Sequence, residues 1–356
     1  MDRLQRLRQS LTKQDFDVLL VSQQANRRYL SGFTGSTGWL LISASRALLT
    51  VDFRYVEQAK WETSDFEVVH IRGDITSWLP KLASDMGCNR IGFEAEHFSF
   101  ATYQLCKATT NESQLKFVPT TGLVEQLRMA KDMQELNLIS EAANIADKAI
   151  NHAKSVIRPG KTEKEIAWEL EKFLREHGSE NLPFDVIVAS GPNSALPHAR
   201  PSERHILEGE PIVIDIGARI NGYCSDLSRT LYLGNEDKTF SKIYDTVLGA
   251  QLTGLATIVS GMSGDQADKL SRTVIEQAGY GEVFGHGLGH GVGLETHEAP
   301  RLGPNSSDIL ADGMVFTIEP GVYLPGWGGI RIEDTVVAES GKIRSLARAD
   351  KIASIH

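Results

Sequence analysis

Residues 213–230, VIDIGARINGYCSDLSRT, carry two aspartates, Asp215 and Asp226, in stretches whose neighbours look apolar, strand-like or glycine-rich. A carboxylate buried without a partner is costly, so such groups are normally paired with positive charge or bound to metal. Side chains two apart on a strand face the same way. Val213, Asp215 and Gly217 therefore share one face, and Gly217 leaves room beside the carboxylate. Cys224, Asp226 and Ser228 share another, with Arg229 turned to the opposite side.

Working outward, three further stretches repeat the anomaly. GHGLGHG (285–291) contributes His290, VFTIEPG (315–321) contributes Glu319, and IRIEDTVV (330–337) contributes Glu333. Taken singly each has an ordinary explanation: a turn or cap aspartate, a surface strand glutamate, a hydrogen-bonded histidine. Four carboxylates and one imidazole from separate stretches match the donor count of a two-cation site rather than of a salt bridge. Oxygen-rich ligation with one imidazole suits Mn, Co, Fe or Zn, and not a thiolate-preferring structural zinc site. Two such ions supply a hydroxide and polarise a carbonyl. Arg331 projects with Glu333, which puts a guanidinium beside a ligand carboxylate. His198, His286 and His297 add to the pattern. Other chemistries lack their signatures: GHGLGHG is not a phosphate loop, since no GK[ST] ends it and no GxGxxG opens a helix after a strand, and there is no HExxH and no GxSxG elbow.

The 356 residues suffice for two domains. With 37 basic and 46 acidic residues the net charge is −9, and no basic run appears, so nucleic acid and anionic membranes are not expected partners. The opening MDRLQRLRQSLTK has Leu4, Leu7 and Leu11 at helical spacing among charges, which reads as a helix and not a secretory signal. No apolar run approaches the ~18 residues of a membrane span. Three scattered cysteines, Cys88, Cys106 and Cys224, fit free thiols in a reducing cytoplasm.

The first part alternates helix and strand signals. DVLLVS, GWLLIS, ALLTVDFRY, FEVVHI and RIGFEAE read as strands, with helices over residues 75–86 and 100–109. This is an α/β domain, assigned to residues 1–125. One long helical stripe follows over residues 123–157, then a helix opened by the capping box Thr162/Glu165 and closed near Gly178. Strands and Gly/Pro turns follow, with helices near residues 241–259 and 266–278. Residues 126–356 form an α+β domain that holds every candidate ligand.

HARPS, VIDIGARINGYCSDLSRT, GHGLGHGVGLETHE, GMVFTIEPGVY and GIRIEDTVVA together resemble the pita-bread metallopeptidases, and specifically the proline-specific branch of Xaa-Pro dipeptidase (prolidase) and Xaa-Pro aminopeptidase P. The segment NRRYLSGFTGS is similar to the creatinase-type α/β domain that precedes the catalytic domain in that branch. The resemblance implies a pita-bread catalytic domain binding two divalent ions, Mn first, with Co, Zn or Fe as alternatives. It implies that Asp215 chelates one ion, that Asp226 and Glu333 bridge both, and that His290 and Glu319 complete the second. Glu319 would also shuttle the proton, and His198 and His297 would contact the scissile carbonyl. His286 and Arg331 would support them, and Arg301 would bind the free carboxylate of a C-terminal proline. Short proline-containing peptides are the implied substrates and a homodimer the implied assembly, with Asn26, Arg28 and Tyr29 reaching a neighbouring subunit's site. An Xaa–Pro bond is a tertiary amide without an N–H, which suits a site that needs only a polarised carbonyl, a nucleophile and a proton. Two alternatives on the same fold are a creatinase-type amidinohydrolase and a non-catalytic peptide-binding protein. Both are expected to lose ligands, and none is lost here. Cys224 is read as an inert small side chain in preference to a reactive thiol.

Overall fold

The computed structural model describes residues 2–110 and 115–355. It divides into two compact units, Met1–Arg128 and Met129–His356. The limit lies three residues past the expected 125/126. Leu127 and Arg128 stay with the first unit because the Tyr29 hydroxyl donates to the Leu127 carbonyl (2.9 Å) and Arg128 donates to the Asn26 side chain (2.8 Å).

The first unit is built on a six-stranded sheet. Its spatial order is Glu67–His70, Ala47–Val51, Trp39–Ser43, Val18–Val21, Arg90–Glu94 and Lys116–Thr120. Val18–Val21 pairs antiparallel with Trp39–Ser43 and parallel with Arg90–Glu94. All four of its residues are buried, as an unbroken apolar run in a central strand requires. The helices Ile75–Asp85 and Phe100–Thr110 contribute Trp78, Leu79 and Cys106 to a core with Leu20, Leu41, Ile91 and Phe93.

Three elements escaped the sequence reading: the helices Gln24–Ser31 and Val56–Glu62 and the strand Lys116–Thr120. ALLTVDFRY is strand only as far as Val51, because the Asp52 carboxylate takes the backbone N–H and side chain of Arg54 and turns the chain (2.9 and 3.0 Å). The helix Gln24–Ser31 also corrects the proposed reach of Asn26 and Tyr29 into another subunit. Both are buried in their own unit, where Asn26 donates to Glu94 (2.7 Å) and Tyr29 is tied to Leu127.

In the second unit the long helical stripe breaks at residues 130–132. Ala130 pairs with Met314, the Lys131 N–H donates to Gly313 (2.8 Å), and Asp132 then caps a new helix, Met133–Val156, with a full capping box. The helix Glu163–Glu176 opens with the expected box of Thr162 and Glu165. Ile145, Ala149, Ile166 and Leu170 of these helices pack on Ile214 and Leu231 of a sheet in which Pro211–Ile216 lies antiparallel between Ile187–Ser190 and Leu227–Leu233. A second sheet runs in the order Glu298–Leu302, Gly289–Gly291, Val315–Ile318, Asp334–Glu339, Lys342–Ser345. The hairpin Gly321–Leu324/Gly328–Arg331 stands beside them, and the helices Lys238–Thr257 and Gly264–Gln277 cover this half. The unit is α+β, and its strands deliver the site.

Candidate metal centre

Each candidate ligand sits where a strand starts, ends or breaks. Asp215 is the fifth residue of Pro211–Ile216 and pairs with Ser228 across the ladder. Asp226 precedes Leu227–Leu233, where Ser225 reaches back to bond the Ala218 N–H (3.1 Å) and turns the chain. The Asp226 backbone is fixed on both sides by the Thr335 hydroxyl, which takes its N–H and donates to its carbonyl (3.2 and 2.7 Å). His290 lies at the centre of Gly289–Gly291, Glu319 follows Val315–Ile318, and Glu333 fills the gap between Arg331 and Asp334. These exits bring the side chains to one cavity of about 500 Å³, which is also lined by His198, His286, His297, Arg301, Tyr323 and Arg331. The five expected ligands and the five other expected catalytic or substrate-binding residues of this domain all line it.

The innermost atoms are close. Ligand atoms of Asp226, His290 and Glu333 lie within 4.8 Å of one another. His290 Nε2 is 3.7 Å from Asp226 and 3.3 Å from Glu319. The Ser228 hydroxyl donates to Glu333 (2.8 Å) and the Thr317 hydroxyl to Glu319 (3.0 Å). Arg331 donates to Asp215 (2.6 Å), to the Ser228 hydroxyl (2.9 Å), to the Tyr323 hydroxyl (3.0 Å) and to the Pro197 carbonyl (3.1 Å). The guanidinium therefore bonds Asp215, not Glu333 as the strand alternation suggested, because the strand ends at Arg331 and alternation fails across Ile332. Arg229 does face away, bonding Asp334 (2.8 Å).

The electrostatics follow from crowding. Burial raises the pKa of Asp226 far above the usual carboxylate range, and Glu333, Asp215 and Glu319 raise it further. Glu333 is shifted in the same way, by burial and then by Glu319 and Asp215. Glu319 is raised by burial despite the opposing charges of His286 and Arg331. Burial lowers His286 and His290, and it brings His297 down to about 4 with help from His290 and His198. Burial opposes the charge on Arg331, but Tyr323, Asp215 and Glu319 outweigh it and raise its pKa. Acidic groups arranged so that each disfavours the other's charge are stable together when a cation lies among them. Asp215 Oδ1 fits that reading, being buried with no hydrogen-bond partner among the described residues. A hard or borderline divalent ion suits this donor set of carboxylates and one imidazole.

His290 Nδ1 lies 3.1 Å from the Gly291 carbonyl, which leaves Nε2 facing the carboxylates. The His297 ring lies tilted against the His290 ring, with centroids 4.1 Å apart. His286 Nε2 meets the Tyr323 hydroxyl at 3.0 Å. His198 and Arg301 are exposed at the cavity wall, and Arg301 donates to the Pro304 carbonyl (3.0 Å).

Residues 137–340 match metallopeptidase family M24, and residues 3–130 match the creatinase/prolidase N-terminal domain. The chain belongs to metallopeptidase family M24. Its fold is accordingly a creatinase-type N-terminal domain followed by a pita-bread domain. The structure of an Xaa-Pro dipeptidase from Bacillus anthracis superposes with a TM-score of 0.96 at 42% identity, covering 99% of each chain. That of an X-Pro aminopeptidase from Thermotoga maritima gives 0.89 at 38% identity, covering 98% of this chain and 100% of the other. An Xaa-Pro dipeptidase from Pyrococcus furiosus is 35% identical over 98% of this chain and 99% of its own.

Sequence reasoning missed Tyr323, Ser228 and Thr317, which hold Arg331, Glu333 and Glu319 in place. Ser228 carried a usable signal, since it shares the ladder position of Asp215 and lies two residues from Asp226. Tyr323 carried none, because its reach to Arg331 depends on the hairpin pairing of Gly321 with Arg331. Cys224 is not a cavity residue. It is buried against the Gly222 and Leu294 carbonyls, and burial pushes its thiol up to about 11, as an inert side chain requires.

Proposed function

We propose that this chain hydrolyses the Xaa–Pro bond at the N-terminus of dipeptides and short peptides, with dipeptides preferred. The observation that carries the reading is the convergence of four buried or half-buried carboxylates and one imidazole on a single cavity, with Asp226, His290 and Glu333 within 4.8 Å. Residues 126–356 are the catalytic domain in this reading, and residues 1–125 the domain that precedes it. Asp215 would hold one ion, Asp226 and Glu333 would bridge two, and His290 and Glu319 would complete the second. When bound, two divalent ions supply Lewis acidity toward the scissile carbonyl and an acidified water.

The remaining chemistry belongs to the chain. Glu319, held by Thr317, takes a proton and returns it to the departing proline nitrogen, which as a tertiary amide nitrogen must gain one to leave. His297 and His198 meet the carbonyl oxygen from the cavity wall as hydrogen-bond donors. Arg331, fixed by Tyr323 and Ser228, orients Asp215, and His286 braces Tyr323. Arg301 receives the carboxylate of a C-terminal proline. The 42% identity to an Xaa-Pro dipeptidase supports this substrate class. The 38% identity to an X-Pro aminopeptidase favours a second reading, release of Xaa from longer peptides. The amidinohydrolase and non-catalytic readings lose ground because all five ligand positions are retained.

The same reading takes manganese as the native ion, in keeping with the carboxylate-rich donors, and a homodimer in a reducing cytoplasm, in keeping with three buried free thiols. Metal analysis and light scattering of protein purified without added metal test the first two, and a localisation assay the third. The function itself is tested by loading the protein with Mn and offering Xaa–Pro and Xaa–Pro–Yaa–Zaa. Free proline from the dipeptide with the longer peptide intact supports the dipeptidase. Release of Xaa from the longer peptide supports the second reading, and turnover of neither by metal-loaded protein sinks both.

A further inference from the structure

We propose that Lys131 is a positioning residue for His297, acting through a buried ion pair with Glu298; this rests on the reading of His297 as a group that meets the scissile carbonyl. Lys131 Nζ lies 2.7 Å from Glu298 Oε1, and the two side chains are 1% and 6% exposed. The ammonium also donates to the Met129 carbonyl (3.1 Å). Neither end is loose. The Lys131 backbone is held by the Gly313 carbonyl (2.8 Å) next to the Ala130–Met314 bridge. Glu298 follows His297 directly and opens the strand Glu298–Leu302, where it pairs with Gly291 at an irregularity just after His290.

The segment between the two histidines folds back onto the Glu298 carboxylate. The Glu295 N–H approaches Oε2 at 3.5 Å, and a Cβ on Gly293 would fall 2.4 Å from Oε1. Gly293 is thus glycine because the carboxylate occupies the space a side chain would need. The Gly293 N–H donates to the Glu295 carbonyl (3.0 Å), and its own carbonyl accepts from Cys224 (2.8 Å), which closes the turn against a neighbouring strand. The carboxylate is therefore the pin around which the His290–His297 segment is wound, and Lys131 is a counter-charge to that pin. A buried ion pair is a weak device for stability, since an apolar pair of similar volume often does as well, but it fixes position strongly. What it positions here is a ring that must meet a carbonyl oxygen, where a displacement of about 1 Å costs about a hundredfold in rate.

The test compares wild type with Lys131→Met, Glu298→Gln, the double variant and Gly293→Ala, all loaded with Mn, on an Xaa–Pro dipeptide. Both charge-removing single variants are expected to lose about 10- to 100-fold in kcat with KM and bound metal changed less than about threefold. Gly293→Ala should lose kcat alike, because it displaces the same carboxylate without altering charge. The double variant, with no uncompensated charge left inside, should recover most of the loss, a rescue that general weakening of the fold would not give. A folded Lys131→Met protein with kcat within twofold of wild type overturns the proposal, as does a loss confined to KM or to metal content. Should Lys131→Met not fold, wild-type kcat in Glu298→Gln or in Gly293→Ala decides against it. A wild-type protein that cleaves no Xaa–Pro substrate fails the functional reading and the proposal together, whereas an active wild type with unaffected variants fails the proposal alone.

Discussion

Two neighbouring residues divide the second unit into regions that treat buried charge in opposite ways. Glu333 and Asp334 are 1% and 0% exposed. Asp334 faces a region beneath the helix Lys238–Thr257, where Arg229 (2.8 Å), Lys351 (2.7 Å) and the Gln251 amide (2.9 Å) bond its carboxylate. Burial alone would raise its pKa, but the two cations overcome that and hold it below the ordinary range. Glu333 faces the cavity, receives the Ser228 hydroxyl, and sees Glu319 and Asp215, so burial and repulsion together raise it. The strand places both side chains equally deep; what differs is whether the chain itself brings the counter-charge. Where it does, the carboxylate belongs to the architecture. Where it brings more carboxylates, the missing positive charge must come from outside.

This contrast yields opposite expectations for isosteric changes. Glu333→Gln should abolish about a thousandfold or more of the activity, the scale of several kcal/mol of charge stabilisation. In EDTA the same variant should melt higher than wild type, because a repelling charge is gone; calorimetry showing a lower melting point would break the comparison. Asp334→Asn should do the reverse. It leaves Arg229 and Lys351 without their anion and should destabilise the fold by about 3–5 kcal/mol with or without metal, read by denaturant unfolding.

Metal should discriminate between the regions as well. Mn at about a hundred times its Kd should add about 2.7 kcal/mol to wild-type stability by mass action, and none of that should survive in Asp226→Asn/Glu333→Gln. Acid should act on the other region. Because Asp334 is lowered in the fold, its contribution is complete above its unfolded pKa of about 4 and drains away as pH falls through the lower folded value. Wild-type stability in EDTA should therefore decline below about pH 4 more steeply than that of Asp334→Asn. Parallel acid limbs would show that the ion pair carries no linkage.

How much of this was legible in the sequence follows the same division. The cavity residues could be read because carboxylates in apolar, strand-like company are anomalous wherever they occur, and Asp215, Asp226, Glu319 and Glu333 each announce themselves locally. Asp334 is equally buried, yet nothing beside it in IRIEDTVV names Arg229 or Lys351, which lie 105 and 17 positions away. The strands Val18–Val21 and Arg90–Glu94 were legible as apolar runs, while Gln24–Ser31 was not, because a mean-polar helix of eight residues shows its buried face only once Glu94 and Arg128 are in place. Alternation located Asp215 correctly and misassigned the partner of Arg331, since a period of two holds within a strand and not across the break at Ile332. Local anomaly is visible in a sequence; long-range compensation is not.

The smallest effect expected concerns the two arginines of the cavity, which repeat the contrast at its edge. Arg331 is buried and committed to Asp215, Ser228 and Tyr323, so it cannot also serve as a free receptor for substrate. Arg301 is exposed, and its side chain donates to the Pro304 carbonyl, which among the described residues leaves further N–H groups of the fork for a carboxylate. An exposed ion pair contributes only about 0.2–1 kcal/mol. Arg301→Ala should thus raise KM for an Xaa–Pro dipeptide by no more than about fivefold at unchanged kcat, with the increase shrinking as salt is added. A C-terminally amidated dipeptide, which lacks the carboxylate, should be turned over equally by wild type and variant. If the amide loses as much as the free acid, Arg301 acts on the loop that carries it and not on the substrate, and the preference for dipeptides needs another cation.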